Sequence, residues 1–168
     1  MTVPASTSAE PNTLWSIGHS NHTIEAFISL LRQHSITQLV DVRTAPYSRH
    51  WPQFSRDDLA YYLTTSGITY MFLGRELGGK PEDLALRGPT GMPDYEAIAA
   101  TPLYHSGLER LKALGAQKRT AFMCSEADPA HCHREKLVAR SLRTDGWQVY
   151  HILGDGTIQS EVQASLWE

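Results

Sequence analysis

Short apolar runs and stretches of helical periodicity take turns along this chain, and that alternation limits its folds more than any other feature. Residues 14–17, 38–43, 68–73, 120–123 and 147–152 read as strands. Ile24, Phe27, Ile28, Leu30 and Leu31 follow the first at helical spacing, behind a cap at Asn21 or Thr23. Ser55 is read as the cap of a helix running through Leu59, Tyr62 and Leu63 to Gly67. Asp94 caps a short helix, and Leu103, Leu108, Leu111 and Leu114 mark a longer one ending near Gly115. Another spans Cys132 to Arg143 and closes near Gly146, and a last short one runs from about Ile158 to Leu166. The pattern predicts a single three-layer α/β domain, an open, mainly parallel sheet of about five strands with helices on both faces. Right-handed crossovers bring the strand C-termini to one edge, where open α/β sheets bind ligands.

A length of 168 residues suits one domain, expected over residues 13–168. Residues 1–12 are rich in Ser, Thr, Pro and Ala and read as a disordered lead-in, with no apolar core of a signal peptide. The net charge of -3 argues against a broad basic face for nucleic acid. No apolar run approaches the ~20 residues of a membrane span. With two cysteines and no secretion signal, reduced thiols and a cytoplasmic location are expected. Pro46 and Pro52 make residues 44–54 a loop, and the glycine- and proline-rich residues 74–93 read as a functional loop or lid.

The expected sheet edge collects reactive side chains from distant parts of the chain. The stretch from Cys124 to Arg134 holds both cysteines, His131, His133, Glu126 and Asp128. Cys132 stands where a helix is expected to begin, beside cations. A helix N-terminus and adjacent cations favour thiolate and so a nucleophile; the plainer alternative is a small buried hydrophobe. Cys124 closes an apolar strand and reads as structural. Glu126 suits a general base or a partner for His133, or else a simple ion pair with Arg134. His19 and His133 are candidates for moving protons. Ser20 with Arg43, Arg49, Arg75 and Arg134 would bind an anion, Asp41 holding an arginine in place. Tyr47 and Trp51 lie beside Arg49, where stacking on a planar ligand is credible, whereas Phe54 and Tyr62 read as core. His19, Cys132 and His133 also form a possible metal set, without the paired spacing of established metal motifs. No Walker A, G-x-G-x-x-G or G-x-S-x-G sequence is present.

Four separated motifs carry a family resemblance. They are Ser16-Ile17-Gly18-His19-Ser20; Asp41-Val42-Arg43 with Pro46 and Ser48-Arg49; Leu77-Gly78-Gly79; and Cys124-x-Glu126 followed by Cys132-His133-Arg134. In this order they resemble the DUF488 family of bacteria and archaea, over residues from about 14 to 152. The resemblance implies one α/β domain with a shared polar site and no settled activity. A partial likeness to rhodanese-like domains places their cysteine at Cys124, but Glu126 and Asp128 in the loop that follows would repel an anion.

The expectation is therefore an enzyme acting on a small anionic or nucleotide-like compound. The alternatives are a metal- or haem-binding protein and, least favoured, a non-enzymatic nucleic-acid-binding module.

Overall fold

The first strand is built from a run in which every residue is buried, β1 (Thr13–Gly18), as the centre of a parallel sheet requires. In the computed structural model, which describes residues 9–160, β1 lies between β4 (Thr120–Cys124) and β5 (Gln148–Ile152). Outside β4 come β2 (Gln38–Asp41) and then β3 (Thr69–Phe72). Outside β5 lies the two-residue β6 (Ile158–Gln159), antiparallel to it. The order is β3-β2-β4-β1-β5-β6, an α/β architecture with a mainly parallel sheet, as the alternation predicts.

Side-chain alternation along the strands sorts the core into two layers. On one face α1 (Ile24–Gln33) and α2 (Arg56–Thr65) bury Phe27, Leu31, Leu59 and Leu63 against Trp15, Ile17, Leu39 and Met123. On the other, α5 (Pro102–Gln117) and α6 (Arg140–Thr144) pack Leu108, Leu111 and Leu142 against Leu14, Val40 and Phe122. A π-helical stretch, Arg134–Ala139, leads into α6. The smaller helices α3 (Gly74–Leu77) and α4 (Tyr95–Ala99) sit in the chain between β3 and α5.

Several local expectations need correction. The last helix does not begin at Ile158: Gly156, at φ +88°, turns the chain back so that Ile158 and Gln159 extend the sheet. The rest of that helix, residues 161–166, lies outside the described residues, as do residues 1–8 of the lead-in. Thr23, not Asn21, caps α1, its hydroxyl accepting from the Ala26 N–H at 3.1 Å. Ser55 occupies the cap position of α2 but makes no capping bond; its Oγ accepts from the Ser48 N–H at 3.1 Å. Cys132 precedes the helix in extended backbone. Tyr62 is exposed, whereas Phe54 is fully buried.

The connections leaving β1 and β4 run to opposite faces, and the loop after β4 passes over the end of β1. They extend the ladder as they part: His19 N–H donates to Cys124 O at 2.9 Å and Ser20 N–H to Ser125 O at 3.0 Å. At the crossing Gly18 has no space for a side chain, since a Cβ there would lie 1.7 Å from the carbonyl oxygen of Glu126. Gly18→Ala must push the loops apart and is expected to cost about 1–3 kcal/mol, read as a lower urea midpoint at unchanged slope.

Candidate functional site

A cavity of about 890 Å³ opens at the C-terminal edge of the sheet. His19 and Ser20 reach it from the end of β1, Arg43 from the end of β2, and Cys124, Glu126, Cys132 and His133 from the loop after β4. Its mouth adds Tyr47, Trp51 and Met92, three of the exposed large apolar side chains. The loop bearing Tyr47 and Trp51 is pinned through Ser48, whose hydroxyl accepts from the Trp51 N–H at 3.0 Å and whose own N–H binds Ser55. Ser20 holds φ +46°, a left-handed conformation costing a non-glycine residue about 1 kcal/mol.

Arg43 is 6% exposed and Asp41 is fully buried. The guanidinium forks onto the carboxylate, Nε to Oδ1 at 2.9 Å and Nη2 to Oδ2 at 2.7 Å. Tyr70 adds an O–H bond to Oδ2 at 2.6 Å. Burial, then the neighbouring Asp41 charge, pushes the Tyr70 phenol well above its usual range. Nη1 of Arg43 is buried with no partner among the described residues. Such an orphaned charged donor is costly to keep.

Two histidines have their tautomers fixed by main-chain carbonyls, which only accept. His133 Nε2 donates to Val42 O at 2.9 Å, leaving an acceptor lone pair on Nδ1. That Nδ1 lies 3.6 Å from Cys132 Sγ. The Arg134 N–H donates to the same sulfur at 3.4 Å. Gly79 makes this arrangement possible, because a Cβ there would sit 2.6 Å from the Cβ and Cγ of His133. His19 Nδ1 donates to Ser20 O at 2.9 Å, and its ring stacks on Phe54 with centroids 4.5 Å apart. Burial lowers both histidines to about 4, so each ring is neutral at pH 7. Cys124 and Cys132 are joined sulfur to sulfur, so neither is a free thiol in this structure and the expectation of reduced thiols is corrected.

Three arginines expected at the anion site stand elsewhere. Arg49 and Arg75 are exposed and do not line the cavity. Arg134 is fully buried beneath it. Its guanidinium donates to the carbonyls of Glu126 at 3.0 Å and Ala127 at 3.2 Å and to Ser16 Oγ at 3.2 Å. It thus takes the main chain of Glu126, not its carboxylate, which is left to the rim. Ser16 also bonds His151 Nδ1, whose Nε2 donates to Glu135 at 2.6 Å. Arg143 closes the network on Glu135 at 2.5 Å. Burial lowers the pKa of His151, and Glu135 is lowered because these hydrogen bonds outweigh its own burial. The order Ser–His–Glu is that of an activated serine. Ser16 and His151 have no exposed surface, so here the chain braces Arg134.

Sequence reasoning missed Lys80 and Arg87, which line the cavity. Arg87 bonds only neutral carbonyls, Pro81 O at 2.8 Å and Gly91 O at 2.9 Å, and so keeps its charge uncompensated. The glycine- and proline-rich segment holds three cations, Arg75, Lys80 and Arg87, and nothing in the sequence says which of them face the cavity. Among the described residues no group of three or more His, Cys, Asp or Glu side chains is arranged to hold a metal ion, the His19, Cys132 and His133 set included. No helix among them is long and apolar enough to cross a membrane.

The family model for the domain of unknown function DUF488 matches residues 23–141, and the chain belongs to that family. No curated protein and no solved structure matches it.

Two measurements check the site's electrostatics. Asp41→Asn leaves the buried Arg43 charge uncompensated and is expected to cost about 3–5 kcal/mol, against about 1 kcal/mol for Tyr70→Phe. His19 and His133 are protonated less readily folded than unfolded, since their folded values lie near 4 and the unfolded value near 6.5. Their contribution is complete above pH 6.5 and fades as pH falls toward 4, because the unfolded chain binds the extra protons. Stability falls by on the order of 2 kcal/mol per histidine by pH 5, and His133→Gln flattens that slope in urea titrations.

Proposed function

We propose that this member of the DUF488 family is an enzyme acting on a small anionic, nucleotide-like compound, with Cys132 as nucleophile and His133 as its base. The observation that carries this reading is the fixed tautomer of His133. With Nε2 committed to Val42 O, the free lone pair on Nδ1 faces the Cys132 sulfur at 3.6 Å. Once the Cys124–Cys132 pair is reduced by a dithiol, the thiol proton passes to Nδ1, and the Arg134 N–H at 3.4 Å supports the thiolate that remains. Attack on the substrate's electrophilic centre then ends with His133 returning that proton to the leaving group.

Anion binding is supported by Arg43, with its unpaired Nη1, and by Lys80 and Arg87. Asp41 neutralises Arg43, so the net positive field comes chiefly from the other two. Ser20 adds a hydroxyl. Tyr47 and Trp51 at the mouth suit a flat group such as a base, and the volume is that of a small-molecule site. In this reading His19, with Nε2 as its free acceptor, and Glu126 on the rim move a second proton or activate water; both line the cavity, which supports the role.

Alkylation of Cys132 by iodoacetamide against pH tests the assignment. The expected midpoint lies below the ~8.5 of a free thiol, and inorganic phosphate slows the reaction at pH 7. Lys80→Ala, an exposed position, weakens that protection about fivefold, equivalent to ~1 kcal/mol. A thiol titrating at or above the ordinary value and indifferent to phosphate overturns the reading.

A further inference from the structure

The nucleophile assigned above leaves one feature unexplained. A second cysteine lies against Cys132, and it does so inside the cavity wall. Cys124 is 2% exposed and Cys132 6%, and both line the cavity. Their surroundings differ. Cys132 has an acceptor in His133 Nδ1 at 3.6 Å and a main-chain donor at 3.4 Å. Cys124 ends β4 in the middle of the sheet, held by its carbonyl to the His19 N–H at 2.9 Å, and no nitrogen base bonds its sulfur among the described residues. One sulfur is equipped to react first and the other is fixed where it can only answer.

We propose that Cys132 and Cys124 form a peroxidatic and resolving pair that reduces a hydroperoxide and, once oxidised as in this structure, leaves Cys132 without a free thiol. The proposal rests on the reading of Cys132 as the activated thiol. The Cys132 thiolate attacks one peroxide oxygen; an S–O bond forms and the O–O bond breaks. The departing alkoxide, or hydroxide from hydrogen peroxide, takes the proton that His133 Nδ1 received from the thiol. Cys124 then attacks the sulfenic sulfur of Cys132. The S–S bond forms, the S–O bond breaks, and the hydroxyl leaves as water with the proton of Cys124. Two electrons pass from the sulfurs to the peroxide, and an external dithiol restores both thiols by exchange.

The paired sulfurs of this structure are the oxidised end of that cycle, and Cys132 then has no thiol to offer His133. Peroxide thus consumes the same thiol that the substrate needs.

The test uses the full chain, reduced and then exposed to equimolar hydrogen peroxide. The wild type is expected to lose both titratable thiols and two hydrogens of mass, with a peptide linking residues 124 and 132, and to recover both with dithiothreitol. Cys124→Ser should stop at a sulfenic acid that dimedone traps on Cys132, and Cys132→Ser should leave Cys124 unmodified. The wild-type thiol count needs no variant to fold. Retention of both thiols, oxidation of Cys132 to sulfinic acid without a disulfide, or dimedone capture at Cys124 in Cys132→Ser overturns the pair. Phosphate protection of Cys132 in Cys124→Ser separates the two proposals. Protection without disulfide formation in the wild type sinks the thiol pair and keeps the anion site. Rapid disulfide formation without protection sinks the anion site and keeps the pair.

Discussion

Arg134 has no exposed surface, so its guanidinium must be satisfied from within the protein. It finds two carbonyls of the loop after β4 and the hydroxyl of Ser16, while its buried Nε has no partner among the described residues. A charged donor held this way makes bonds stronger than neutral ones. It is also expensive to bury, since burial lowers its pKa to about 10 even against the raising pull of Asp128, Glu135 and Glu126. Asp128, Glu135 and Glu126 supply the compensating negative field, and the Ser16–His151–Glu135 chain fixes the hydroxyl's orientation. The position of Cys132 depends on this arrangement, because the residue follows a loop whose main chain Arg134 grips and precedes the helix that Arg134 begins.

A second ion pair sets the other wall of the cavity. Asp41 is acceptor to Arg43 twice and to Tyr70 once, so its lone pairs are well used. The pair is desolvated, and its contribution to net stability is accordingly small or adverse. What it provides is direction: the guanidinium is held at the end of β2 beside the Val42 carbonyl that orients His133. The strand ends thus set both the direction of the Arg43 guanidinium and which nitrogen of His133 carries a proton.

Much of the fold was legible because a parallel sheet leaves a strong mark. Strands buried on both faces read as continuous apolar runs, and each begins or ends at a polar or turn residue. The β6 strand was not legible, since two residues carry no periodicity and only the turn at Gly156 reveals the reversal. The convergence of His19, Ser20, Arg43, Glu126, Cys132 and His133 followed from topology, without any side-chain geometry. Arg134 shows where that reasoning stops. Charge type and sequence position look the same for an arginine aimed at a cavity and one turned under it. Burial by the π-helical turn made the difference, and no sequence pattern announces such a turn. Lys80 and Arg87 were missed for the opposite reason: their segment has little regular structure, so nothing in its periodicity shows which way it folds.

The close approach of Gly18 and Glu126 has a consequence for tolerance to change. The loop after β4 lies directly over the end of β1, so an added residue in either turn forces the other to move. The constraint on length is therefore strictest at the floor of the cavity. It relaxes in the strap of residues 80–93, where Lys80, Arg87 and Met92 face the entrance. A fold of this design can remodel its doorway without disturbing its floor.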